Sequence, residues 1–309
     1  MPTIARHPYQ THEEWLKLRR KFIGGSDIGA ILGLNPWKTP LQVWLEKKGK
    51  SFEWTSDKAE LGHKIEPIIR ERYQEKENKR IITPAEIFSQ GIAGASTDGI
   101  ILLDEWNSPW DGVFEAKHPG WRQTYRWENN QTPEEYRCQV TWYMGILGLE
   151  WSDIAALIGG DDWQVRRIDF DPELFGLMLQ SAEKWWRDYI VADKEPPAEA
   201  QDVEVLSRIH LPDPALSVEL PKESSYTVLT YLTISEQIKK LEEEKEKCEA
   251  QLKQQMIGYN AAVVEEYSIS WPEQKQNRLD TERLKRERPD IYSEYKKEII
   301  SKPFRVKRK

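Results

Sequence analysis

The chain has 309 residues, 39% of them hydrophobic, which is ample for a packed core in one large domain or a domain plus an appendage. Two cysteines, Cys138 and Cys248, argue against a disulfide scaffold or a four-cysteine cluster; no apolar run approaches ~18 residues and the start, Met1-Pro2-Thr3-Ile4-Ala5-Arg6, lacks a signal-peptide core, so a soluble, cytoplasmic protein with no membrane partner is expected. The net charge of −7 argues against indiscriminate coating of duplex DNA but leaves room for a local patch, because residues 274–309 hold 13 Lys/Arg against 6 Asp/Glu, a local +7 that leaves −14 elsewhere.

Thirteen of the fourteen tryptophans precede residue 190, which places the packed core there. Helix starts are well marked. Thr11-His12-Glu13-Glu14 has the capping-box pattern ahead of Trp15-Leu16-Lys17-Leu18-Arg19. Thr39-Pro40-Leu41-Gln42 supplies a cap, a first-turn proline and a box glutamine, with Gly49 as the stop. Thr132-Pro133-Glu134-Glu135 and Asp171-Pro172-Glu173 repeat the device. Helices are expected at roughly 12–21, 27–32, 40–48, 58–76, 133–148 and 172–191, and strands at 80–88, 92–95, 99–105, 112–118, 153–159 and 163–170. Helices around a central sheet make the class α/β.

Lys194-Glu195-Pro196-Pro197 ends the dense region, giving a domain at 1–195, a linker region at 196–232 and a helical, basic C-terminal extension at 233–309. Thr233-Ile234-Ser235-Glu236 opens a charged helix running to about Ile257. Tyr231, Ile238, Lys245 and Leu252 alternate there with Ile234, Leu241, Cys248 and Gln255 at heptad spacing, an imperfect seam expected to pack on its own chain. Residues 261–271 resemble a strand, and the basic stretch beyond reads as helix with a disordered end.

The most informative residues are Asp98, opening one strand, and Glu115 and Lys117 in the next. Two apolar runs around Asn107-Ser108-Pro109-Trp110-Asp111-Gly112 read as a β-hairpin. Side chains two apart on a strand share a face, so Glu115 and Lys117 point together while Ala116 points away. Two acids can hold Mg²⁺, which activates water and steadies charge on a phosphodiester, and a lysine with its pKa drawn down by burial can orient or deprotonate that nucleophile. The alternative at this point is an exposed hairpin carrying a cross-strand salt bridge.

Three further features surround the hairpin. Glu66, amid apolar residues near a helix start, can complete a metal shell or simply favour the helix dipole. Gln139 and Tyr143 share a helix face, where an amide can meet a phosphate or base edge and a tyrosine can position DNA, or both can bond structurally. Gly24-Gly25-Ser26-Asp27 offers backbone N–H groups and a hydroxyl to an anion, with Arg19 able to add its donor fork, or Ser26 or Asp27 simply caps the helix.

Trp15-x-x-x-Arg19, Ile23-Gly24-Gly25-Ser26-Asp27-Ile28, Leu34-Asn35-Pro36-Trp37-Lys38-Thr39-Pro40, Gly62-x-x-x-Glu66, Ser96-x-Asp98-Gly99, Glu115-Ala116-Lys117 and Gln139-x-x-x-Tyr143 occur in this order over about residues 10–195. Together they resemble the YqaJ-type viral recombinases, relatives of the phage lambda exonuclease. The resemblance implies a restriction-endonuclease-like PD-(D/E)XK nuclease core and Mg²⁺-dependent 5′→3′ digestion of one strand from a double-stranded DNA end, with Mn²⁺ able to substitute. It implies metal binding by Asp98, Glu115, the Ala116 carbonyl and Glu66, with Lys117 as the catalytic lysine. It implies a 5′-phosphate pocket of Arg19, Ser26, Ser96 and Gln139. It also implies a homotrimeric ring in a bacterial host, phage or prophage encoded, leaving a 3′-ended strand for a single-strand annealing protein. Gly24-Gly25 before Ser26 and the long extension depart from lambda exonuclease. A related endonuclease or nickase and a non-catalytic DNA-end-binding module are the rivals; an iron–sulfur nuclease is disfavoured, since two cysteines cannot supply four ligands.

Overall fold

Capping chemistry fixes where the chain first turns helical. In the computed structural model, which describes residues 4–50, 57–102, 110–209, 213, 216–297 and 301–308, strand β1 (Ala5–Pro8) leads into α1 (His12–Arg19). Thr11 accepts the Glu14 N–H, and Glu14 accepts the Gln10 N–H in return. Helix α2 (Gly25–Ile31) begins ahead of the expected residue 27: Gly24 is its N-cap and Asp27 accepts the Gly24 N–H at 2.9 Å. Helix α3 (Pro40–Lys47) is capped by Thr39 and stopped by Gly49, whose φ of +67° is open to glycine without a Cβ penalty. Helix α4 (Asp57–Glu77) carries Pro67 in its interior.

The expected strand at 80–88 is two strands, β2 (Arg80–Ile82) and β3 (Glu86–Gln90), in different sheets. Pro84, which has no N–H to give a ladder, lies in the break. Strands β4 (Ala93–Ala95), β5 (Gly99–Leu102) and β6 (Gly112–Lys117) follow. The expected hairpin forms, with Gly99 opposite Phe114 and Ile101 opposite Gly112; its turn at 103–109, and the end of the expected strand 99–105, lie outside the described residues. Helix α5 (Glu134–Leu147) starts after Pro133, and Thr132 does not cap it as expected. Strands β7 (Trp151–Ile158) and β8 (Asp162–Asp169) come next, then α6 (Pro172–Trp185), capped by Asp171 and continued by a wider turn over Trp186–Val191. Helix α7 (Val203–Ile209) was expected as linker; Asp202 ahead of it accepts the Thr39 hydroxyl at 2.6 Å and Val205 joins the core.

The five-stranded sheet has the order β2-β5-β6-β7-β8 and is parallel only at β6–β7, where α5 makes the crossover. A smaller antiparallel sheet, β1-β3-β4, adds β1, which the sequence did not suggest, and separates β4 from the expected central sheet. Period-two alternation gives the large sheet two buried faces. Val113, Ile154, Ala156 and Ile158 join the core that holds Val140 and Met144 of α5, while Phe114, Ala116 and Ala155 pack with Ile69 and Tyr73 of α4. A fully buried Val, Ile, Met or Phe side chain contributes ~1.5–3 kcal/mol.

One compact unit spans Met1–Leu211 and another Pro212–Lys309, so the first runs past the expected boundary at 195. In the second, α8 (Ser224–Gln255) starts within the expected linker and buries none of its heptad seam. Residues 261–271 form a hairpin, β9 (Ala261–Val264) with β10 (Tyr267–Ser270), rather than one strand. Helices α9 (Thr281–Glu287) and α10 (Pro289–Tyr295) follow. Among the described residues no helix is long and apolar enough to cross a membrane.

Asp153 of β7 is the pin between α4 and the sheet. Its buried carboxylate accepts from Tyr73 at 2.5 Å, Lys79 at 2.9 Å and Arg167 at 2.5 Å. Burial alone would raise its pKa, but these donors more than offset that and hold it below the ordinary value. Asp153→Asn should therefore cost roughly 2–4 kcal/mol at neutral pH, less than a fully enclosed pair because Lys79 and Arg167 keep some access to water. A group with a depressed folded pKa stabilises above its unfolded value near ~3.9 and loses that contribution as pH falls through the folded value. Urea unfolding of both proteins at neutral pH and near pH 3 checks this: the difference should shrink in acid, and an equal difference at both would contradict it.

Candidate active site

The hairpin register brings the acids together. With Gly99 opposite Phe114, the next position toward the N-terminus sets Asp98 beside Glu115, and Asp98 Oδ2 accepts the Ala116 N–H at 2.9 Å. Glu115 and Lys117 share the α5 face of the sheet and Ala116 turns toward α4, as the strand period requires. Glu115 is 1% exposed, so the exposed salt-bridged hairpin does not describe it. Its Oε1 accepts from Lys117 Nζ at 2.5 Å and Gln139 Nε2 at 2.6 Å, while Oε2 is buried with no hydrogen-bond partner.

Electrostatics in this corner favour added positive charge. Burial and the nearby Asp98 push the Glu115 carboxyl up to about 8, with Lys117 acting against them. Burial and Asp98 likewise push Glu66 up to about 7, opposed by Arg70 and Lys117. The sequence pointed to a lysine with a lowered pKa. Burial does press Lys117 down, but Glu115 and Asp98 more than compensate and raise it, so its ammonium is a held cation and donor rather than a free base. The Tyr136 ring, 4.8 Å from Lys117 Nζ, completes its surroundings; sequence reading missed this residue, although it lies one turn before Gln139 on the same helix.

The second group of residues adjoins the first. Arg19 Nη2 donates to Ser26 Oγ at 2.8 Å and its guanidinium lies 5.1 Å from the Trp15 ring centroid. Buried Asp27 is not merely a cap. It takes Lys38 Nζ at 2.8 Å and Lys47 Nζ at 2.5 Å, and Lys47 also holds the Arg19 carbonyl at 3.0 Å. Burial would raise the Asp27 carboxyl, but the surrounding cations hold it well below the usual range. Ser96 accepts from Trp15 Nε1 at 3.0 Å. Gln139 spends its amide N–H groups on Glu115 and on the Tyr143 hydroxyl, 3.2 Å away, rather than turning them to an anion. Gly25 permits this packing: a Cβ there would stand 2.7 Å from Tyr143 Cε1 and 2.9 Å from Gln139 Cγ.

Every one of these candidates, Arg19, Ser26, Glu66, Ser96, Asp98, Glu115, Ala116, Lys117, Gln139 and Tyr143, lines one cavity of about 380 Å³. Among the described residues no three His, Cys, Asp or Glu side chains stand close enough together to hold a metal ion as they are placed. The unpartnered Glu115 Oε2 and the mutual repulsion of the carboxyls nevertheless fit a hard divalent cation that keeps several waters. Asp98, Glu115 and Glu66 are the carboxylates that line this cavity, and they would have to draw together to hold such an ion.

Comparison with known proteins agrees with the motifs. Over 98% of this chain and 97% of the relative, the sequence is 29% identical to the uncharacterized protein YqaJ of Bacillus subtilis (strain 168). Among solved structures it is similar to the alkaline exonuclease LHK-Exo of Laribacter hongkongensis, with a TM-score of 0.49, 17% identity and coverage of 58% of this chain and 93% of that one. It is also similar to a phage related exonuclease from Haemophilus somnus 129PT, with a TM-score of 0.40, 12% identity and coverage of 58% and 100%. Residues 14–150, which contain every candidate site residue, match the model of the YqaJ-like viral recombinase domain.

Proposed function

We propose that this chain is a Mg²⁺-dependent DNA exonuclease with a restriction-endonuclease-like core, digesting one strand 5′→3′ from duplex ends. The observation that carries the reading is the buried Glu115 carboxylate with an unpartnered oxygen, in one cavity with Asp98, Glu66 and Lys117. Asp98, Glu115, the Ala116 carbonyl and Glu66 would hold the ion. A bound Mg²⁺ supplies Lewis-acid polarisation of the scissile phosphate and a more acidic water. Lys117, fixed between Glu115 and the Tyr136 face, orients the attacking water and donates toward the phosphate. Gln139 and Tyr143 hold Glu115 in place from α5.

Arg19, steadied by Ser26, Trp15 and the Asp27 hub, would receive a terminal 5′-phosphate at the other end of the cavity, with Ser26 and Ser96 beside it. Gln139 serves the catalytic acid first and would reach that phosphate only by exchanging a hydrogen bond. A head-to-tail trimer closing on itself would make digestion processive, and the 3′-ended strand left behind suits an annealing protein in phage or prophage recombination.

Asp98→Ala, Glu115→Ala and Lys117→Ala should each lower hydrolysis of an end-labelled linear duplex on the order of 10³-fold, with pairs costing little more than singles because the groups act as a unit. Chelating the metal should abolish it, and covalently closed circular DNA should survive. A Lys117→Ala protein that cuts linear duplex at the wild-type rate sinks the assignment, and cutting of closed circles would favour a nickase.

A 5′-phosphorylated end should be degraded roughly ten- to a hundred-fold faster than a 5′-hydroxyl end, the worth of a charge-assisted contact, and Arg19→Ala should remove most of that preference. Equal rates on the two ends in the unaltered protein would count against the pocket. Light scattering at micromolar protein should report three times the chain mass; a monomer with and without DNA would rule out the ring.

A further inference from the structure

The tryptophan-rich first unit hides most of its large rings, with Trp44, Trp127 and Trp142 at most 1% exposed. Three described aromatics in it stand out in water instead: Trp37 at 63%, Trp121 at 71% and Tyr125 at 68%. Two of the three sit on a single 3₁₀ segment, Trp121–Arg126, which leaves β6 four residues after Lys117. Four residues of chain reach at most ~14 Å, about four base steps of B-form DNA.

The segment is firmly fastened. The Pro119 carbonyl accepts the Gly159 N–H at 2.9 Å, and the Thr124 hydroxyl donates to the Trp121 carbonyl at 2.7 Å. At its far end Arg126 makes a paired contact of 2.7 Å and 2.7 Å with buried Glu135, and Trp127 is buried. The Arg122 guanidinium lies 5.2 Å from the Trp121 ring centroid, so a cation accompanies the exposed faces. Rigid, exposed π faces with an arginine alongside match what unpaired nucleotides use: bases stack on the rings and the backbone meets the cation.

We infer that Trp121, Arg122 and Tyr125 form a stacking platform for single-stranded DNA beside the catalytic strand, an inference that rests on the nuclease reading for the identity of that strand. The platform would hold unpaired nucleotides next to the cleavage point and so favour end-fraying before each cut.

The test is anisotropy of a labelled oligodeoxythymidine of about 20 nucleotides, longer than common site sizes, titrated with the full chain in EDTA so that the strand stays intact. Trp121→Ala with Tyr125→Ala should weaken binding on the order of tenfold or more, while Trp121→Phe with Tyr125→Phe, which keeps the π faces, should retain most of it. Tyr125→Ala alone gives a readable partial loss should the double alanine protein fail to fold. Unchanged affinity in a folded alanine variant overturns the platform. So does an unchanged affinity accompanied by a drop in assembly mass, which would make the patch a protein interface. Magnesium-dependent hydrolysis of duplex by the unaltered protein is measured in parallel; if it is absent the nuclease reading falls, while ring-dependent oligonucleotide binding would still support the platform.

Discussion

Burying the Glu115 carboxylate is the constraint from which most of this site follows. Removing such a group from water costs several kcal/mol unless donors and opposite charge surround it. Lys117, two residues on along β6, can supply charge from the same strand face, but a second donor must come from another element. The parallel β6–β7 crossover provides it by laying α5 over that face, and Gln139 becomes the donor. Tyr143 then braces Gln139, and α2 can close on both because Gly25 has no side chain. The chain of contacts ends at Ser26 and Arg19, so the two ends of the cavity are positioned by one packing solution.

Glu66, Asp98 and Glu115 share the cavity, where burial and the nearby Asp98 lift the pKa of Glu66 and Glu115. Arg19, which lines the same cavity, meets Lys38 and Lys47, which do not, around the single carboxylate of Asp27, with Glu46 also bonded to Lys38. Asp27 limits the repulsion among the cations and leaves Arg19 pointing at the cavity through its bond to Ser26.

Much of the site was legible because it depends on local periods. Strand alternation placed Glu115 and Lys117 together, and helical spacing placed Gln139 with Tyr143. The turn composition paired β5 with β6, from which the position of Asp98 follows. What could not be read were contacts set by the packing of distant segments. Lys38 and Lys47 converging on Asp27 require α3 to pack on α2, Tyr136 lying against Lys117 requires the crossover that lays α5 over β6, and the shift of Lys117 upward depends on Glu115 and Asp98 outweighing its burial. The same limit explains the helix hidden in the expected linker: α7 has a weak pattern of its own, and its place is secured by Asp202 meeting Thr39 from far along the chain. Pro84 split an expected strand because a missing N–H matters only where a partner strand asks for it.

Helix α4 shows how the stability of the fold is coupled to the site. Glu66, Arg70 and Tyr73 stand at i, i+4 and i+7, one face of the helix, and that face meets the sheet. Tyr73 is tied to Asp153 in β7, fixing the helix at a point ~10 Å along its axis from Glu66. Arg70 between them donates to the Asp98 carbonyl at 3.3 Å and lies 3.8 Å from Glu66, so it holds the backbone that presents one acid while restraining the other. Pro67 follows Glu66 directly and removes the N–H that would have bonded the His63 carbonyl one turn earlier. The helix is thus pinned below the cavity and loosened where Gly62, His63 and Glu66 line it. An acid on such a turn can adjust its approach to a cation while Asp98 and Glu115, both tied to strand β6, stay fixed.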